Sequence, residues 1–295
     1  SSGVFGILTW QDIPGENQIG HTIKDEPLLP QDEVCYVGQP VAIVVAESLV
    51  AAEYALSLIE IKYEKLPTVL SIEEALATQN FYVSPSTIEC GNVKKAFTQA
   101  DYVIEGTVTT GTQEQLYLET QRCLAVPGDD NDITLYSATQ STAEVQEIAA
   151  RILGINSKDV VVDVKRLGGA FGGKERSATL WACLTALAAY KIKRPVELKL
   201  NRLEDQVWTG KRHPFLARYK VGFNKDGKIL AYEGYLASNG GAYVDLSLPV
   251  TERAMFHSDN AYYIPNMHIT GAACRTNLPP NTAFRSSAET STAPL

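Results

Sequence analysis

Apolar and polar positions change period along this chain, and each change marks an element. Val41 to Ala46 is a continuous apolar run, short enough for a buried strand. Ser48 is a fair N-cap for a helix to about Leu58, with Ala, Glu and Leu predominating. Ile59 to Tyr63 alternates apolar and polar, the pattern of a half-buried strand. Ser71 and Glu74 have capping-box spacing and open a short helix to about Ala77. A polar stretch with Pro85 and Gly91 follows, read as a linker near residues 79–92.

The second part repeats this alternation over longer elements. Asp101 to Thr110 and Ile133 to Thr139 predict strands. Ser141 and Glu144 have the spacing of a second capping box, and the helix behind them should end at Gly154. Asp159 to Lys165 predicts a strand, and Glu175 to Tyr190 an apolar helix. Tyr219–Phe223 and Ile229–Leu236 flank Asn224-Lys225-Asp226-Gly227, a hairpin signal. No internal repeat occurs. Ser286 to Leu295 reads as an unstructured tail.

Composition narrows the class. At 295 residues the chain is long enough for two domains, at about 150 residues each. With 45% hydrophobic and 20% charged residues it can bury an ordinary core. A net charge of -8 and dispersed basic residues argue against nucleic acid as a partner. The one local cluster, Lys211-Arg212-His213, reads as a solvated turn. The five cysteines, Cys35, Cys90, Cys123, Cys183 and Cys274, lie far apart without zinc spacing or a C-x-x-C pair. They suit reduced thiols in a cytoplasmic protein, and no familiar cysteine-ligated iron–sulfur cluster. No 18-residue apolar run or signal peptide is visible, so no membrane partner is expected. The first residue is not Met, which suggests a start cut from something longer.

The candidate chemistry lies in Leu167-Gly168-Gly169-Ala170-Phe171-Gly172-Gly173-Lys174-Glu175. Its glycines allow φ > 0 and close approach of another molecule, and a helix N-terminus follows. Such a place can hold a phosphate, an oxo group or another anion. Gly168 to Lys174 reads G-x-x-x-x-G-K, most of a nucleotide P-loop, but Glu175 stands where Ser or Thr should bind Mg²⁺. A tight strand-to-helix turn without a ligand is the plainer alternative.

Several ordered blocks supply more. The loop resembles the G-G-G-F-G-G-K-E signature of the molybdenum hydroxylase family, the xanthine dehydrogenases and aldehyde oxidases. Val37-Gly38-Gln39-Pro40 resembles the family's V-G-Q-P, and Gln113-Glu114-Gln115-Leu116-Tyr117-Leu118-Glu119-Thr120 its Q-E-H-F-Y-L-E-T. Ser137-Ala138-Thr139-Gln140 resembles S-T-Q with one residue inserted. Thr209 to Phe215, Asp259 to Tyr262 and Asn277 to Arg285 are also family-like.

The resemblance implies an α+β fold. Residues 1–78 would be a hammerhead-like α/β domain and 79–87 a linker. Residues 88–285 would be an incomplete, mixed α/β first molybdopterin-binding domain, and 286–295 a tail foreign to the family. It implies molybdenum-molybdopterin as cofactor, with iron–sulfur clusters and FAD in other domains or subunits. It implies oxidation of an electron-poor sp² carbon with water as oxygen source, and an oligomer when complete. Gln140 matches the glutamine whose amide sits against an oxygen ligand of molybdenum. Gly169 and Phe171 match the loop beside the metal, and Arg285 the arginine of the family's F-R-G-F-G-G run. Gln140, Phe171 and Arg285 would therefore stand near molybdenum without ligating it. Glu175 and Arg253 match the pocket glutamate and arginine of the purine-oxidising members, where a guanidinium can stabilise charge arriving on the ring. Each also has a plainer reading: a strand-end amide, a core aromatic, a helix-start acid, a surface ion pair.

The resemblance stops after Phe284-Arg285, where Ser286-Ser287-Ala288-Glu289 replaces Gly-Phe-Gly-Gly. The family's base glutamate falls in a C-terminal half without a counterpart here, so no catalytic residue is expected in this chain. Gln115 replaces the usual His, and Ala170 the usual third Gly. Ala170 also occurs in aldehyde oxidases. The expected function is the first half of a purine-oxidising molybdenum subunit, with a missing second molybdenum domain as partner. The alternatives are a non-catalytic fragment, an aldehyde oxidase and a P-loop NTPase.

Overall fold

The computed structural model describes residues 3–285. The chain forms two compact units, each assembled from two stretches. One is Ser1–Thr68 with Gln115–Gly210, the other Val69–Glu114 with Lys211–Leu295. The units cut the chain differently from a sequential division near residue 78. The expected tail, 286–295, lies outside the described residues. The fold is α+β.

In the first unit, strands Val4–Leu8 and Ile43–Ala46 form an antiparallel pair beside helix Leu49–Leu56. Ser48 caps this helix through the amide of Ala51. A four-stranded sheet runs in the order Val160–Asp163, Ile133–Ser137, Arg122–Pro127, Val196–Lys199. Helices Thr142–Leu153 and Ser177–Ile192 pack with it in one core containing Ile133, Leu135, Ile148, Leu153, Leu184 and Leu187. Helix Ser177–Ile192 is buried continuously from Ala178 to Ala189, which is why its sequence is apolar all round.

The second unit is a five-stranded sheet ordered Ser86–Cys90, Met267–Arg275, Ile229–Gly241, Phe215–Phe223, Tyr102–Thr110. Neighbours are antiparallel, except for Ile229–Gly241 with Met267–Arg275. Helix Ser247–Phe256 lies between that parallel pair in sequence, and its Val250, Ala254 and Met255 pack on the sheet. The hairpin forms as its turn residues predict: Gly227 has φ +78, and Asn224 Oδ1 accepts from Lys228 N at 2.8 Å. Helix Ile72–Thr78 opens with a complete capping box between Ser71 and Glu74, and Ile72 and Ala75 pack against Leu216 and Ala237.

Four local expectations fail. Ile59 to Tyr63 is not a strand; it pairs with no neighbour, and Ile61 and Tyr63 are exposed. Alternation alone cannot make a strand without a ladder partner. Ser141 makes no capping bond, because Thr139 Oγ1 takes its amide and Glu144 turns to Arg176 at 3.8 Å. The cluster Lys211-Arg212-His213 is not a solvated turn. Lys211 pairs with Glu114 at 2.9 Å, Arg212 lies over the Phe284 ring, and His213 is fully buried against Ser247. Burial pushes the His213 imidazole down to about 3. Within the expected linker stretch, Ser86–Cys90 forms an edge strand.

Candidate functional site

The glycine loop leaves strand Val160–Asp163 and enters helix Ser177–Ile192. The helix starts two residues later than its apolar pattern suggests, because Glu175 and Arg176 form a bend. Gly169 and Gly172 have φ +89 and +98, conformations that glycine adopts without steric cost. Phe171, between them, also has positive φ, at +52. A left-handed residue with a side chain costs roughly 1–2 kcal/mol, so the surrounding bonds must hold it there. Its ring is 48% exposed, so it is not a core aromatic.

Gly168 and Gly173 serve a different purpose. A Cβ on Gly168 would stand 2.5 Å from Glu119 Cβ, and one on Gly173 would stand 2.7 Å from the Tyr117 ring. These glycines let the loop lie directly on the irregular segment 115–119, where Leu116 has φ +51.

Gln140 ties the loop from the other side. Its amide N–H donates to Lys174 O at 2.8 Å. Its side-chain Oε1 accepts from Gly172 N at 3.0 Å and Lys174 N at 3.4 Å. The acceptor end of the carboxamide is thus committed to the loop. The Nε2 end, a pure donor, remains on an exposed residue. A side-chain donor beside the positive-φ backbone of Gly172 suits an oxo-bearing group, so these residues fit the implied molybdenum cofactor. They do not suit a nucleotide. The lysine of the P-loop-like run is fully buried, with Nζ 2.6 Å from Glu119 O, 3.4 Å from Glu119 Oε2 and 4.5 Å above the Tyr117 ring. Burial lowers its pKa, and the Glu119 charge opposes that shift. Lys174 therefore holds the loop from within, and the nucleotide reading is overturned.

Glu175 is partly buried, and its amide contacts Gly172 O at 3.4 Å. It lies near Glu144, whose carboxyl is raised by burial. The Arg176 and His21 charges oppose that shift, and Glu175 and Glu147 add to it. Gln140, Gly169, Phe171 and Glu175 are thus gathered in the first unit. Arg253, on helix Ser247–Phe256, and Arg285, at a turn, are exposed residues of the second unit.

A buried network beneath the loop was not legible in the sequence. Asp205 accepts from Tyr117 Oη at 2.7 Å and from Gln121 N at 2.6 Å. Gln121 Nε2 donates to Gly173 O at 2.9 Å, and Arg202 Nη2 donates to the carbonyls of Tyr117 and Leu118. Burial and the Asp205 charge raise the Tyr117 hydroxyl pKa, keeping it a neutral donor. The Y-L-E run marks the segment, but no spacing pairs it with residues 174 or 205.

The α+β frame carries a glycine loop at a helix start, and the comparisons with known proteins identify the family it belongs to. Residues 73–293 match the molybdopterin cofactor-binding domain. Residues 1–67 match the a/b hammerhead domain of aldehyde oxidase and xanthine dehydrogenase. Xanthine dehydrogenase/oxidase of Mus musculus is 47% identical over 284 residues, covering 96% of this chain and 21% of that protein. Xanthine dehydrogenase of Dictyostelium discoideum is 42% identical over 283 residues, with the same coverage. The solved aldehyde oxidoreductase of Desulfovibrio gigas superposes with TM-score 0.91 at 28% identity, over 97% of this chain and 33% of that one. The chain belongs to the aldehyde oxidase and xanthine dehydrogenase family of molybdopterin-binding proteins. It spans about a fifth of the length of these curated relatives (21%). Among the described residues, no helix is long and apolar enough to cross a membrane.

Proposed function

We propose that this chain supplies one side of the molybdenum site of a cytoplasmic hydroxylase that oxidises purines, hypoxanthine or xanthine, to urate. The observation that carries the reading is the fixed carboxamide of Gln140, an exposed residue whose acceptor oxygen is bound to Gly172 and Lys174. When bound, the molybdenum cofactor supplies the activated oxygen nucleophile and accepts the electron pair. The chain orients and stabilises. Gln140 Nε2 would offer a hydrogen bond to an oxygen of the bound group. The backbone around Gly169 and Phe171 would hold the cofactor, and the exposed Phe171 ring would help to exclude water. Glu175 accepts from, or shares a proton with, a purine ring N–H. Arg253 stabilises negative charge at a ring carbonyl oxygen. Arg285 stands beside the cofactor.

Electrons leave through iron–sulfur and FAD domains or subunits, and a further molybdenum-binding domain supplies the base. Support for a purine comes from relatives named xanthine dehydrogenase and from the residues at positions 175 and 253. The experiment is xanthine-dependent reduction of an electron acceptor by the molybdenum-loaded subunit completed with that further domain. Reduction with aromatic aldehydes and none with xanthine would move the assignment to an aldehyde oxidase.

A further inference from the structure

We propose that Glu119 is a positioning residue that clamps both ends of the glycine loop, with Lys174 as its buried partner. Gly169, Phe171 and Glu175 thereby stay in a binding-competent geometry; what they bind rests on the function proposed above. Four contacts converge on this one residue. At the loop's start, Glu119 N donates to Gly168 O at 3.1 Å, and Gly168 N donates to Glu119 Oε2 at 2.9 Å. At its end, Lys174 Nζ donates to Glu119 O at 2.6 Å and lies 3.4 Å from the same Oε2. One carboxylate oxygen thus meets residues 168 and 174 together, and closes the loop as a staple does.

The chemistry requires this pairing. The Lys174 side chain is 0% exposed and the Glu119 side chain 28%. An ammonium taken out of water needs a nearby negative charge and acceptors. Glu119 supplies a carboxylate and a carbonyl, and the Tyr117 ring supplies a π face at 4.5 Å. The strain at Phe171 also needs an external restraint, and the clamp closes on both sides of that residue. Gly168 has no side chain because a Cβ would collide with the clamp.

The test is residue-resolved amide exchange on this chain, in wild type, Glu119→Ala, Glu119→Gln and Lys174→Met. Amides of helix Ser177–Ile192 report global opening. Glu119→Ala should speed exchange at Gly168, Gly172 and Lys174 by about tenfold or more, the weight of a hydrogen bond to a charged group, with the helix unchanged. Glu119→Gln keeps an acceptor for Gly168 but loses the charge facing Lys174. It should restore protection at Gly168 and not at Lys174, which simple filling of space would not do. Lys174→Met should loosen the same far end. Loop exchange within twofold of wild type in Glu119→Ala, or equal recovery at both ends in Glu119→Gln, overturns the clamp. So does acceleration of loop and helix together. Added molybdopterin supplies the second readout. If wild type retains molybdenum, Glu119→Ala should retain several-fold less, and equal retention overturns the positioning role. Retention by no variant, with the exchange pattern as expected, would count against the proposed function and leave the clamp standing.

Discussion

The Tyr117 hydroxyl donates to Asp205 Oδ1 at 2.7 Å, and both side chains are buried. The same carboxylate accepts the Gln121 amide, so Asp205 joins the segment under the loop to helix Arg202–Trp208. Asp205→Ala would leave a phenol and a backbone N–H without their acceptor. The expected cost is on the order of 3 kcal/mol in the first unit, read as a lower denaturant midpoint. A change below about 0.5 kcal/mol, the range of ordinary surface substitutions, would show that the network contributes little.

Steric dependence of the loop glycines is tested by Gly168→Ala against Gly6→Ala. The first Cβ would stand 2.5 Å from Glu119 Cβ, whereas the second meets nothing within 4 Å. Gly168→Ala should cost roughly 1–3 kcal/mol, as overpacking does, and Gly6→Ala little. Equal melting temperatures for the two variants would refute the close approach.

The buried imidazole gives a pH prediction. His213 titrates at about 3 in the folded chain against 6.5 unfolded. Between those values the unfolded state binds the extra proton, so stability falls as pH drops from 6.5 towards 3. The slope is at most about 1.4 kcal/mol per pH unit for one proton. His213→Asn should flatten this part of the profile of the second unit, and an unaltered slope would assign it to other groups.

Substrate choice rests on Glu175. In a molybdenum-loaded subunit completed with its further molybdenum-binding domain, Glu175→Val should lower activity on xanthine more than on an aromatic aldehyde, by tenfold or more if one charged hydrogen bond is lost. Equal loss on both would mean that Glu175 serves the loop.

Residues with local signals were legible in the sequence. The hairpin at Asn224–Gly227, the capping box at Ser71 and the glycine loop needed only neighbours a few positions away. The packing under the loop did not declare itself, because its partners are 32 to 88 residues apart in sequence. Segment 115–119 shows why. Tyr117 turns in and Leu118 turns out to 92% exposure, against the usual apolar-in expectation. Lys174 reads as the lysine of a P-loop-like run and Glu119 as one residue of a family-like block, and only the fold pairs them, 3.4 Å apart. Family-like blocks located Gln140, whereas only the structure gives the orientation of its carboxamide.

The central claim is that this loop belongs to a molybdenum cofactor site. Its most direct test is the molybdenum-to-protein ratio after purified chain is mixed with molybdopterin carrying molybdenum and then freed of unbound cofactor. The account predicts retained metal in wild type, and clearly less in Gln140→Leu, which keeps the side chain's bulk and removes both its donor and the acceptor that holds Gly172 and Lys174. No retained molybdenum in wild type, or equal retention in Gln140→Leu, would contradict it.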